Sequence, residues 1–559
     1  MSNSRPGPSR RNFLASSAIA AAATMGGVPL LSACGGGGGG GGGGQEGRAS
    51  LSELERMMPT YRASEVAVDP DIPSENGSSP GYTRWIPQEE LGVSVPEPLG
   101  NGGEFTAMTP LWGTPPDPGN AFWTAMDEAI GVRMNWQTQD GQTYGERLGA
   151  VLAGSDIPDL VCIPRWELTG QIPQAIASRF ADLGPYLSGD AVLDYPNLAA
   201  IPTTAWQPAV FSGALRGLPM PAAPVGGVLP YYRQDIFEAN GWEPPTSPEE
   251  FVALCREITS PGNRVWALEA NVKWTAWTIF GVLPERPNYW ARGDDGRLIN
   301  RYETDEYLEA LEWTRGLFAE GFVHPDSVAV SGDESRRFTS GESVMMFTGD
   351  GAWHNMIVEQ LSVNPDFRMN AFDYFGLDGN DPVVYLGDGS GIWTFINRDL
   401  SEDRIREALQ IANYTAAPYG TVENRLRTFG IEGTHYTVEN GLPARTDQGN
   451  VEVVPETYTF IATPQSTVAW ADTPQMVEDL TGWQKRNLRF AREPLFYGRQ
   501  IQEPARLANL NDGFEDLEDD VVRGRQSIRD VQNAVADWRR NGGDELRDFY
   551  QRLLDEEDA

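Results

Sequence analysis

Between Glu104 and Ser178 the chain alternates short apolar runs with amphipathic ones, and this constrains its fold more than any other feature. The pattern predicts a strand over Glu104 to Thr109, running out into Leu111-Trp112-Gly113, and a helix from Ala121 to Ile130. A strand from Val132 to Gln137, a helix from Thr143 to Ala153, a buried-type strand from Asp159 to Ile163 and a helix from Glu167 to Ser178 come next. Strands separated by helices imply a parallel sheet covered on both faces, an α/β architecture. In such sheets ligands sit beyond the carboxyl ends of the strands. Trp112, after the first strand, and Arg165 and Trp166, after the third, are therefore candidate ligand contacts.

The 559 residues exceed one ordinary domain, so two lobes or more are expected. The amino-terminal part reads as an export address. Ser9-Arg10-Arg11-Asn12-Phe13-Leu14 precedes an Ala-rich apolar stretch, which ends in Leu31-Ser32-Ala33-Cys34. A positive region, an apolar region and a small-residue cleavage site in that order form a secretory leader, here of twin-arginine type. The final four residues resemble a bacterial lipobox, which makes Cys34 the expected lipidation site and residues 1–34 a signal peptide. The stretch is long enough to span a membrane, but it is rich in Ala, Gly and Ser and carries a proline. Ten consecutive glycines, Gly35 to Gly44, come after it, and Pro, Gly, Ser and Glu stay frequent to about Gly103. Residues 35–103 are expected to form a flexible tether.

The formal net charge is -36, and no basic stripe is present to neutralise phosphates, which excludes nucleic acid as a partner. Lys273 and Lys485 are the only lysines. Cys162 and Cys255 lie in separate apolar contexts and are expected to be buried thiols rather than a bridge. His324, His354 and His435 lack metal-ligand spacing. No metal or other cofactor is expected.

Further on, Ser247 is placed to cap a helix from Pro248 to Ile258. An amphipathic helix is predicted over Thr304 to Glu320, and strands over Ser343 to Phe347 and Gly391 to Ile396. Asp350 stands between a strand and a helix, where a carboxylate can cap the helix, bind a ligand, or do both. Asp544 is expected to start a terminal helix.

Several of these stretches, in this order, resemble the extracellular solute-binding proteins of carbohydrate import, the broad family of maltose-binding protein and its longer oligosaccharide-type lipoproteins. They are Ser155-Asp156-Ile157-Pro158-Asp159-Leu160-Val161, Gly217-Leu218-Pro219, Tyr232 to Phe237, Pro245 to Phe251, Gly341 to Met346, Gly430 to Tyr436, and Trp538 with Gly542-Gly543-Asp544. The resemblance implies a two-lobe periplasmic-binding-protein-like fold with a ligand cleft between the lobes. By it the chain crosses between lobes near Ala222, Gly349 and Phe395. That assigns 104–221 and 349–394 to lobe 1, and 222–348 and 395–559 to lobe 2. Gly226 stands where maltose-binding protein has a polar sugar contact, so that role does not carry over.

Sugars present flat C–H faces and a rim of hydroxyls, so their sites need aromatic rings beside polar groups. Trp112, Trp166, Trp353, Trp274 and Trp277 fall in loops or helix starts and are the candidate rings, with Arg165 and Asp350 as candidate polar contacts. Glu432 joins them by resemblance alone. The expected protein is a lipid-anchored monomer on the outer face of the cytoplasmic membrane. It captures a carbohydrate and passes it to the permease subunits of an ABC importer, with no catalytic residues. The alternatives are a secreted glycoside hydrolase or polysaccharide lyase, which would need two carboxylates at a set separation, and peptide capture on the same fold.

Overall fold

A computed structural model describes residues 51–558, apart from 96–98, 226, 286, 329–332, 362, 455, 502 and 508. The leader, Cys34 and the ten-glycine run lie outside the described residues.

The predicted alternation forms. Strand β1 (Glu104–Leu111) leads to a helix over Ala121–Ile130, β2 (Arg133–Asp140) to a helix over Tyr144–Ala153, and β3 spans Leu160–Pro164. The first helix starts where the Asn120 side chain accepts from the Trp123 N–H and stops at Gly131, whose φ of 73° only glycine adopts cheaply. β4 (Gly217–Pro221) and β9 (Ser390–Ile396) complete a five-stranded sheet of order β2-β1-β3-β9-β4. Its first three strands are parallel, and β9 runs against both of its neighbours. A second sheet is built from β5 (Leu229–Tyr232), β6 (Trp266–Leu268), β7 (Ser343–Thr348) and β8 (Asn370–Ala371), in the order β8-β5-β7-β6. The two sheets define two lobes.

Burial shows which segments serve which lobe. Phe105, Val161, Leu218 and Phe395 share the first core with Ala408 and Ile411 of the helix Glu402–Thr415, and with Tyr458 and Ile461. Tyr231, Met346, Trp353 and Met369 share a core with Met476 and Trp483 of the helix Met476–Leu488. Carboxyl-terminal helices over Phe514–Val522, Ile528–Trp538 and Asp544–Asp558 pack on the helix Asp305–Ala319 around Trp290, Tyr307 and Tyr550. The expected division of the chain is therefore corrected. The chain crosses between β4 and β5 as expected, then near 386–389, and again between Ala462 and Met476. Residues 351–384 belong with the second sheet and 390–462 with the first. Gly349 lies within a lobe because β7 before it and β8 after its helix belong to one sheet, and Phe395 because it is inside β9.

The tether expectation is also corrected from residue 54 onward. Thr60 N donates to Gly189 O at 2.9 Å, Arg62 N to Ala199 O at 2.8 Å and Gly92 N to Gly420 O at 2.9 Å. Gly81 and Tyr82 pair with Thr467 and Val468. Met58, Tyr82 and Ile86 are buried. Backbone bonds of this kind need no hydrophobic period, so composition alone makes the segment look loose.

Ser247 caps its helix as expected, accepting from Glu250 N. Cys162 and Cys255 are buried free thiols. Among the described residues no helix is long and apolar enough to cross a membrane.

Candidate functional site

The crossing segments 222–228 and 386–389 are bonded together, Gly387 N to Pro224 O at 2.8 Å and Ala222 N to Gly389 O at 2.9 Å. Side chains from both lobes gather around them.

From the first lobe come the loops that leave β1 and β3. These strands are parallel neighbours, so their carboxyl ends deliver Trp112 and Trp166 to the same edge. The two rings lie 6.0 Å apart, tilted by 59°, and the Phe460 ring lies 6.5 Å from Trp112. Trp112 is 41% and Trp166 55% exposed, in a protein that buries most of its large aromatics. Arg165, beside Trp166, is ion-paired with the fully buried Asp388 side chain of the second crossing. Asp388 also accepts from Gly498 N at 2.8 Å. Burial pushes the Arg165 guanidinium down to about 10, opposed by Glu285. Glu456 contributes a carboxyl that burial pushes up, and its backbone carbonyl accepts from Thr109 Oγ1 at 2.7 Å.

From the second lobe comes Asp350, at the end of β7 and beside the first crossing. Tyr231 Oη donates to the carbonyls of Gly349 and Asp350, at 3.2 and 3.3 Å. Asp350 is exposed as a residue, and desolvation by the surrounding protein pushes its carboxyl up. The N–H groups of Asp350 and Gly351 oppose the shift.

Where the third crossing meets the second lobe, Trp470 lies between three groups. Its ring stacks on His354 at 5.2 Å, Arg445 lies over it at 4.7 Å, and Phe429 packs at 4.6 Å. Desolvation holds His354 down at about 3, helped by Arg445, while its Nδ1 lies 3.1 Å from Thr473 Oγ1. Arg445 Nε is buried without a hydrogen-bond partner.

The structure thus brings Trp112, Arg165 and Trp166 together on the first lobe and puts Asp350 on the second. It does not bring in the other expected contacts. Trp353 is 1% exposed, because it lies on the inner face of the helix Gly351–Leu361 with its ring edge-on to Tyr231 at 5.5 Å. Trp277 is buried and stacked on Tyr307 at 5.6 Å. Trp274, half-buried on the same helix, packs against that core beneath Lys273. Glu432 is exposed and accepts from Tyr436 Oη at 3.4 Å, in the cluster around Trp85. Phe460, Asp388, Glu456, Arg445 and Trp470 were missed. They come from distant segments with no motif, and only the crossing at 462–476 would have pointed to the last two.

Gly77-Ser78-Ser79-Pro80-Gly81 spells a nucleophile-elbow pattern, but Ser79 bonds Gln484 and Gln465, and the three histidines bond elsewhere. Among the described residues no group of three or more His, Cys, Asp or Glu could hold a metal ion.

Comparison with known proteins agrees with the two-lobe fold. A family model described as bacterial extracellular solute-binding protein matches residues 113–396. Lipoprotein LipO of Bacillus subtilis (strain 168) is 21% identical over 451 residues, covering 76% of this chain and 86% of LipO. The alginate-binding protein AlgQ2, in a calcium-free crystal structure, superposes with a TM-score of 0.60 at 11% identity, over 82% of this chain and 99% of its own. The N-glycan transport solute-binding protein NgtS of Streptococcus pneumoniae gives 0.57 at 14% identity, over 81% and 98%. Lmo0181 of Listeria monocytogenes, in complex with cycloalternan, gives 0.53 at 16% identity, over 79% and 100%.

Proposed function

The chain belongs to the bacterial extracellular solute-binding protein family, and from that premise we propose that it captures a carbohydrate between its lobes and delivers it to an ABC import permease. The observation that carries this reading is the exposed Trp112–Trp166 pair at the carboxyl end of the first sheet, beside the crossings. Two tilted rings cover the C–H faces of a sugar. Arg165 and Glu456 and, from the opposite lobe, Asp350 offer charged partners to its hydroxyls. Closure of the lobes about the crossings brings Asp350 toward the rings, a hinge motion with no bond made or broken. The likeness to proteins named for alginate and N-glycan transport, and to one in complex with cycloalternan, supports a saccharide over a peptide.

In this reading the twin-arginine leader exports the protein, lipidation of Cys34 holds it to the outer face of the cytoplasmic membrane as a monomer, and the ten glycines give the body reach. Kinship with a Bacillus lipoprotein supports the anchor. A thermal-shift screen of glycans and peptides on protein lacking residues 1–34 tests the ligand class. One glycan class raises the melting temperature, and mass spectrometry recovers that glycan intact. Stabilisation by peptides alone, or release of cleaved product, overturns the proposal. For the anchor, Cys34→Ala protein moves to the soluble fraction, and its retention in the membrane fraction refutes lipidation.

A further inference from the structure

Gly141 has no conformational need to be glycine, since its φ is not positive. What requires glycine is the space its side chain would fill. A Cβ there would lie 2.4 Å from Cε2, 2.5 Å from Nε1 and 2.7 Å from Cδ2 of Trp112. The indole therefore lies across the Gly141 backbone at the fusion of its two rings. Real Cβ atoms do not approach so closely, and an indole, unlike the end of a long side chain, cannot swing a single atom aside. The backbone beneath cannot retreat either, because Gly141 N donates to Leu111 O at 2.9 Å, fastening it to the residue just before Trp112.

Gly145 provides a contrast. A Cβ there would lie 2.1 Å from Oε2 of Glu167, the end of a flexible side chain, so a methyl is accommodated by turning that carboxylate. Gly149, a turn further along the same helix, faces open space. Along this stretch, crowding against a rigid group is confined to Gly141.

We infer that Gly141 is a positioning residue of the aromatic platform: its bare backbone sets the pitch of Trp112 and with it the 6.0 Å, 59° relation to Trp166. One face of the indole is spent on Gly141, which leaves the other to the cleft. The consequence for ligand capture rests on the saccharide reading of the site. The geometric claim does not, and is tested without a ligand.

Two indoles this close couple their electronic transitions and give a paired band in circular dichroism. Trp112→Phe and Trp166→Phe each remove the couplet and identify it. Gly141→Ala then reduces it by at least half or inverts it, while Gly145→Ala leaves it at full amplitude. A Gly141→Ala protein with the parental couplet overturns the inference. Should Gly141→Ala unfold or melt early, the double variant Gly141→Ala/Trp112→Ala decides. It regains the melting temperature of Trp112→Ala alone if the clash is with the indole, and failure to regain it overturns the inference. On an array of neutral and acidic glycans, Gly141→Ala weakens capture about tenfold, and in the Trp112→Ala background it has no further effect. Additive losses refute action through Trp112. An array on which the parent captures nothing refutes the saccharide reading instead, while the couplet still decides the role of Gly141.

Discussion

Trp112 and Trp353 both follow the carboxyl end of a central strand, Trp112 directly and Trp353 in the helix beyond, yet one is 41% and the other 1% exposed. The difference lies in the segment after the strand. After β1 a loop rich in proline and glycine, Gly113-Thr114-Pro115-Pro116-Asp117-Pro118-Gly119, delays the next helix to Ala121, so Trp112 stays on the loop. After β7 the helix begins at Gly351, and Trp353 is its third residue, on the face shared with buried Met356. Ridge spacing then turns the ring inward. A strand-end position brings a residue to the cleft edge. The timing of the next helix decides whether it faces water or core.

Platform and core should therefore carry opposite mutational signatures. The largest effect is expected from Trp353→Ala. Removing a fully buried indole costs about 3–5 kcal/mol, read as a lowered denaturant midpoint, and a loss below about 1 kcal/mol would break the contrast. Next is Asp388→Asn, which leaves Arg165 partly desolvated without its counter-charge. Because Arg165 keeps about a third of its side-chain surface in water, the cost is discounted to about 1–3 kcal/mol, measured in the same way. Trp112→Ala shifts stability by at most about 0.5 kcal/mol but weakens the captured glycan about tenfold, which titration calorimetry checks. Equal effects on stability from Trp112→Ala and Trp353→Ala would erase the distinction between platform and core.

The remaining prediction concerns pH. His354 is lowered from 6.5 to about 3 in the folded protein. Its contribution to stability is complete above the unfolded value near 6.5 and is lost as pH falls below it toward 3, because the unfolded chain takes up a proton that the fold refuses. His354→Gln should flatten the slope of melting temperature against pH in that window. An unchanged slope would show that His354 is not desolvated between the lobes.

How much of this was legible in the sequence depends on how local each signal is. The helix capped by Ser247 and the helix over Ala121–Ile130 depend on neighbours within four residues, and they form where the pattern puts them. Trp112, Arg165 and Trp166 were legible as strand-end residues, because the sheet's parallel order comes from the alternation. Trp353 and Trp277 were misread, since a helix start says nothing of which face is covered. The second and third crossings were misplaced for a related reason. β9 and β7 are both apolar runs, and nothing within a strand records which sheet it joins. Asp388, Glu456 and Arg445 lie on segments whose proximity to the strand ends is created only by the later crossings.

The most direct test of the platform is tryptophan fluorescence during titration with the glycan class that stabilises the protein. The parent should show a saturable change in emission as ligand covers Trp112 and Trp166. The Trp112→Phe/Trp166→Phe double variant should remain folded and lose both the change and the affinity. A double variant that binds that glycan as tightly as the parent would contradict the account, and would place the ligand elsewhere than at the end of the first sheet.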